Sequence, residues 1–372
     1  MSVDAKTLGG RIAEARSRAG LTQQQLASAV SLGRPALNKI ENGLQRVSAL
    51  QLARIADELR VRVEWFLDDA PPAILSHRNL QDPGAASPVI DAVTERIVRD
   101  VEFVLAEDSK LVLADVEPLA RPTSNDEVEA MSGLARSSLG LDDREPLREI
   151  ASAVASRGLL VFALRLGADS ADAASVMLRK GGIALVNGDL QVGRRRLAVA
   201  HEFAHYLLAD EYAVDWRVAE SLDPESWEAR LDRFARALLL PEPGVTELWR
   251  RCLDNGDDWR TVAVRVASTY RVDMSTLARR LVELAVIDRS TAQQVRAART
   301  TRADIVELNL VVSDELVPPF LPREYEQAVL RLYRAETVSA ARAVDLLLDT
   351  WDESSLPQLP ELPEDAIWKF VG

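Results

Sequence analysis

Two of the three histidines in this 372-residue chain stand four residues apart, in the stretch LAVAHEFAHYLLAD (residues 197–210). On an α-helix, positions i and i+4 project from one side. The imidazoles of His201 and His205 can therefore share one zinc ion, about 2 Å from each ligating nitrogen. Glu202, next to His201, is then placed to poise a water molecule and take its proton. The flanking Leu197, Val199, Phe203, Leu207 and Leu208 can bury the rest of the helix and hold the ligands rigid.

A catalytic zinc needs a third protein ligand and one open position. Downstream, E-A-R-L-D-R-F-A (residues 228–235) sets Glu228 and Asp232 at i and i+4 of a second helix that carries Phe234, Leu238 and Leu239 inward. Glu228 is assigned as the third ligand. Asp232 is assigned to accept a hydrogen bond from a ligand histidine and so fix its tautomer. A solvated acidic face would carry the same two residues, and Glu220 and Glu225 compete for the third position.

The net charge of −13 argues against a chain that coats nucleic acid along its whole length, but the charge is uneven. Residues 1–62 hold ten Lys/Arg against five acids, a balance of +5, which leaves −18 for the remainder. Only this head is expected to meet phosphate. The lone Cys252 cannot form an intrachain disulfide, the opening MSVDAKTLGG is polar, and no apolar run approaches bilayer length. These features predict a cytoplasmic protein with no membrane contact.

The periodicity predicts a mainly α, multi-domain chain. Residues 1–69 read as a five-helix DNA-binding domain containing a helix-turn-helix, with Thr22 and Ser48 as helix caps. Residues 70–94 read as a linker rich in Pro, Ser and Ala. Residues 95–290 read as an α+β domain with a small mixed or antiparallel sheet: LLVFAL is a strand, and VMLRKGGIALVN a hairpin turning at Gly181-Gly182. Residues 291–372 form an acidic, mostly helical C-terminal region, for which a helical cap is the simplest role.

Two family resemblances follow from these motifs. L-T-Q-Q-Q-L-A-x(10)-N-K-I-E-N-G, residues 21–43, resembles the Cro/CI-type (XRE) helix-turn-helix, in which the second helix of the pair enters the major groove. The resemblance implies that Arg34, Ala36, Asn38 and Lys39 face DNA while Leu37 and Ile40 face the core. Arg34 and Asn38 suit base reading, and Gln23 and Lys39 suit phosphate contacts. Gly33 departs from the usual capping Ser or Thr, which Pro35 offsets by its fixed φ.

H-E-F-A-H, then E-x-x-x-D-x-F-A and A-L-L-L-P, with G-G-I-A-L-V-N-x(6)-R-R-R-L-A-V-A-H-E before them, resembles the ImmA/IrrE family of metallopeptidases over roughly residues 95–290. That resemblance implies a zincin-like fold with ligands at His201, His205 and Glu228 and Glu202 as catalytic base. Leu231 departs from the family's usual Ala before the Asp. The resemblance also implies that the strand Ile183 to Val186 is an edge pairing with an extended substrate, with Asn187 helping to hold its backbone. Tyr206, Tyr212 and Arg195 are equal candidates for an oxyanion donor.

Together these readings predict a transcriptional regulator that binds double-stranded operator DNA as a homodimer. Its zinc endopeptidase domain would cut a repressor, an antitoxin-like partner or the chain itself. The rival is a non-proteolytic, autoregulating repressor or antitoxin-like regulator whose zinc domain is a sensor or scaffold.

Overall fold

Helices α1 (Ala5–Arg18), α2 (Gln23–Ala29), α3 (Arg34–Glu41) and α4 (Ala49–Leu59) open the chain. Thr22 starts α2 with a reciprocal cap: its Oγ1 accepts from the Gln25 N–H at 3.2 Å, and its own N–H donates to Gln25 Oε1 at 2.8 Å. Two donors with no partner inside the helix are thereby satisfied. Helix α3 has no side-chain cap, because Gly33 stands there; Pro35 in its first turn is already at a helical φ. Ile12, Leu26, Leu37, Ile40 and Ile55 are buried in a common core.

The structure is a computed structural model that describes residues 4–18, 21–59, 63, 66, 89–167, 170–210, 212–215, 226–310 and 314–359. The expected fifth helix, VRVEWFL, and most of the expected linker lie largely outside them, as does His77. The chain divides into two compact units, 1–95 and 96–372. Helix α5 (Val89–Glu107) runs through the division. No helix among the described residues is long and apolar enough to cross a membrane.

The second unit continues with α6 (Asn125–Ser138), α7 (Ile150–Ala155), β1 (Leu159–Leu164), β2 (Ala173–Met177) and β3 (Gly182–Asn187). Next come α8 (Val192–Leu207), β4 (Tyr212–Asp215), α9 (Trp227–Leu239), α10 (Glu242–Asp254), α11 (Trp259–Tyr270) and α12 (Met274–Glu283). Helices α13 (Arg289–Ala297), α14 (Arg302–Glu307), α15 (Arg323–Arg334) and α16 (Ala340–Leu346) complete it. The sheet runs β1-β3-β2-β4, with β1 parallel to β3 and the other pairs antiparallel, so it is mixed. The hairpin turn lies at 178–181, where Leu178 N–H donates to the Gly181 carbonyl at 3.0 Å and Gly181 takes φ +70°. Gly182 is already the first residue of β3.

The expected edge strand is an interior one. Strand β3 is hydrogen-bonded to β1 on one side and β2 on the other, and all six of its residues are buried. An unbroken apolar run is what a strand covered on both faces requires, and such a strand has no ladder left for a substrate.

Ala184, Val186, Val161 and Ala163 share a core with Leu197, Ala198, Val199 and Phe203 of α8. On the other face Phe162 meets Tyr325 of α15 edge-on, 5.5 Å between ring centroids. The acidic C-terminal region is thus part of the same compact unit as the sheet. Phe320 exchanges two backbone hydrogen bonds with Ala163 beside β1, and Arg331 and Arg342 reach Asp108 and Asp100. Buried Glu315 receives Arg196 of α8, Arg271 and the Ile150 N–H together. Burial raises the Glu315 carboxyl, but the Arg196 charge and these hydrogen bonds outweigh it and hold it below its ordinary value.

Candidate metal centre and DNA-reading face

Helix α8 is buried almost throughout, from Arg195 to Leu207. Its start presses against the turn before α12: a Cβ on Gly193 would stand 2.5 Å from the Asp273 nitrogen, so only glycine fits that approach. With its apolar positions fixed on sheet and core, the helix turns His201 and His205 to one side, ring centroids 5.1 Å apart.

Helix α9 packs across α8 and brings the acids. Ser226 caps it, its Oγ accepting from the Ala229 N–H at 3.1 Å, which places Glu228 in the first turn, where the helix dipole favours a carboxylate. Glu228 Oε2 lies 3.2 Å from His201 Nε2 and 3.6 Å from His205 Nε2. The three potential ligand atoms all lie within 4.8 Å of one another. Two ligands about 2.1 Å from one zinc at the tetrahedral angle stand about 3.4 Å apart, so this donor set fits the ion.

The far nitrogen of each imidazole faces its own carboxylate. Asp232 Oδ1 lies 3.0 Å from His201 Nδ1, and Asp210 Oδ2 lies 2.8 Å from His205 Nδ1. A carboxylate at Nδ1 selects the tautomer that leaves Nε2 as the lone-pair atom facing Glu228. Asp210 is not among the site residues that the motifs point to. Its position is set by a left-handed turn at Ala209, φ +54°, which folds the chain back just after the helix. The signal was an acid five residues beyond the second histidine.

Arg121 Nη2 donates to Asp210 Oδ1 at 2.6 Å, and its guanidinium stands 4.8 Å from the Trp227 ring centroid. One side chain thus touches both the acid behind His205 and the neighbour of Glu228. Burial pushes the Asp210 carboxyl up, but the hydrogen bond with His205 and the charge and hydrogen bond of Arg121 bring it below its usual range. Glu202 is fully buried on α8, whereas the Glu228 side chain is 47% exposed, so the site opens on the Glu228 side.

Three residues expected at the site are committed elsewhere. Asn187 is buried, its Nδ2 donating to the Gly167 carbonyl and its Oδ1 accepting from the Asp189 N–H, so its amide holds a loop. The Tyr206 hydroxyl donates to the Arg157 carbonyl at 2.9 Å, and burial, with Asp115 nearby, pushes its pKa up to about 12. Arg195 is buried and spends its guanidinium on the Gly188, Leu190 and Glu315 carbonyls and on Asp314. The Glu220, Glu225 and Tyr212 side chains lie outside the described residues.

On the amino-terminal unit, α3 exposes Arg34, Asn38 and Lys39, half-buries Ala36 and buries Leu37 and Ile40. Gln23 Nε2 donates to Glu41 Oε2 at 2.7 Å and to Asn38 Oδ1 at 3.2 Å, tying α2 to α3. Glu41 also takes Arg16 at 2.6 Å.

A helix-turn-helix family model matches residues 12–66, and an IrrE N-terminal-like domain model matches residues 154–282. The first span includes α2 and α3; the second includes His201, Glu202, His205, Glu228 and Asp232. An HTH-type transcriptional regulator of Sinorhizobium medicae is 34% identical over 64 residues, 17% of this chain and 46% of that protein. A like-named protein of Rhizobium meliloti matches to the same extent. The chain thus spans about half the length of the curated relatives it matches. The crystal structure of Bacillus thuringiensis PlcR in complex with the peptide PapR7 and DNA is matched over 92% of both chains at 12% identity, with a TM-score of 0.18.

Proposed function

We propose that this chain, which joins a helix-turn-helix domain to an IrrE N-terminal-like domain, is a DNA-binding transcriptional regulator carrying a zinc-dependent endopeptidase. The observation that carries the enzymatic half is the convergence of His201, His205 and Glu228 within 4.8 Å. Two imidazoles and a carboxylate are a ligand set of hydrolytic zinc sites. A zinc ion held by them would supply Lewis acidity.

The chain's own groups account for the rest. Glu202 accepts a proton from the attacking water at its carboxylate and returns it to the amide nitrogen as the peptide bond breaks. Its burial on a packed helix keeps that carboxylate in place through both transfers. Asp232 and Asp210 fix the two imidazoles, and the exposed side of Glu228 is where a peptide enters. The substrate is a repressor or antitoxin-like partner, or the chain itself, and the head seats the protein on operator DNA as a dimer, Arg34 and Asn38 reading bases.

The test compares cleavage products in cells carrying the wild type and Glu202→Gln, alongside zinc content of both purified proteins. One zinc per chain in each, with a cleavage product missing only from Glu202→Gln, is the expected result. A second reading draws on the curated relatives, which align over 64 residues and are named for DNA binding alone. In it the metal unit senses or scaffolds, and identical products from both proteins, zinc retained, would establish it.

A further inference from the structure

A cleft of about 530 Å³ opens between α10, α11 and the stretch that follows α14. Four arginines line it, Arg148, Arg251, Arg265 and Arg271, against a single acidic residue, Asp257. In a chain with a net charge of −13, so many cations around one hollow need a reason. Two of the four are spoken for. Arg265 Nε lies 3.1 Å from Asp257 Oδ2, and Arg271 pairs with Glu315 and, at 3.7 Å, with Glu149. Arg148 and Arg251 are exposed, and among the described residues neither has an ion-pair partner.

Structural arginines usually end on a carboxylate or a backbone carbonyl, as Arg136, Arg195 and Arg196 do in this chain. Two that do neither, facing the same hollow, leave ten N–H donors and two positive charges directed at solvent. A guanidinium fork matches the oxygen spacing of phosphate and carboxylate groups. The volume lies within the roughly 300–1,000 Å³ of small-molecule pockets and is too large for one inorganic phosphate alone. Leu248 and Leu308 add apolar wall on either side of the arginines. That mixture suits an organic molecule with a small carbon body.

We propose that this cleft is a binding site for a small organic oxyanion carrying phosphate or carboxylate groups, held chiefly by Arg148 and Arg251. Neither residue belongs to the metal centre or the DNA-reading face, so the site stands whichever reading of those is correct.

Calorimetric titration of the full chain at constant ionic strength tests it, with pyrophosphate and citrate as separate probes and sodium chloride as the control. The comparison protein is the double variant Arg148→Gln/Arg251→Gln; both side chains are exposed and have no ion-pair partner among the described residues, and an unchanged melting temperature verifies its fold. The expected result is one saturable site per chain for at least one probe, weakened at least ~10-fold in the double variant, since each charged hydrogen bond lost costs about that factor. Saturation by pyrophosphate alone identifies a phosphate-bearing ligand, and by citrate alone a polycarboxylate. Failure of both probes to saturate, or equal binding by the double variant, overturns the proposal.

Discussion

On α3 the side chains proposed to meet DNA stand in solvent: Arg34, Asn38 and Lys39 are exposed, and only the helix beneath them, through Leu37 and Ile40, is buried. On α8 the order is reversed. His201 and His205 are 1% and 3% exposed, and each is gripped from behind by an acid. The first surface is a buried helix bearing exposed polar side chains, of which Asn38 is tied to Gln23 while Arg34 and Lys39 extend into solvent. The second is assembled in advance, as the proposed metal ligation would require, since a ligand set tolerates little displacement and rewards a fixed imidazole. The difference predicts that mutations should be costly and local to one unit at the metal centre, modest and confined to affinity at the DNA face.

The largest effect is expected beneath α8. Replacing Glu315 by Gln leaves Arg196, which is fully buried, and Arg271 without their shared counter-charge, a loss of about 3–5 kcal/mol for a buried pair. The second unit should melt earlier in calorimetry while the transition of the amino-terminal unit stays in place. The same residue sets an acid dependence. Its folded pKa lies below the ordinary Glu value of 4.5, so its stabilisation is complete above about pH 5 and is lost as pH falls through the folded value. Glu315→Gln should flatten that acid limb, and an unaltered limb would remove the pair from the account.

Next come the acids behind the histidines. Asp232→Ala or Asp210→Ala should weaken zinc binding by about 10–100-fold in a chelator competition, with the fold retained. Equal affinity to wild type would mean that the imidazoles need no such support, and the contrast with α3 would fade.

At the DNA face, Arg34→Ala should cost about 1–3 kcal/mol against the best operator and relax base preference at one position. Lys39→Gln should weaken all sequences alike and lower the slope of log affinity on log salt by about 1. A loss of folding stability in either variant would show that these tips are structural after all.

The smallest effect is expected at Arg121, whose side chain is 65% exposed. Arg121→Ala removes a surface ion pair with Asp210, typically worth less than about 1 kcal/mol, so zinc affinity should fall by no more than a few-fold. A larger drop would promote Arg121 from the edge of the site to one of its supports.

Much of this arrangement was legible in the chain because it rests on local spacing. A four-residue step places His201 with His205, and Glu228 with Asp232, on common helix faces wherever those helices lie. Thr22 three residues before Gln25 declares a helix start, and LLVFAL declares a strand. The departures come where neighbours distant in sequence decide. Asn187 has the right chemistry for a substrate contact, yet Gly167 and Asp189 claim its amide. Tyr206 looks like an available hydroxyl until the Arg157 carbonyl is seen beside it.

By itself, then, the sequence determined the helical pairs of potential ligands and the basic head on an acidic body, properties of periodicity and composition that no folding partner can alter, while its motifs carried the resemblance to the two domain types. Tertiary structure alone decided that β3 lies inside the sheet, that Asp210 returns to His205, that the acidic C-terminal region shares a core with the sheet, and that four arginines from separate helices and turns meet around one cleft. Those outcomes depend on which buried polar group finds which partner across dozens of residues, and hydrogen-bond satisfaction in a packed interior is a property of the whole unit.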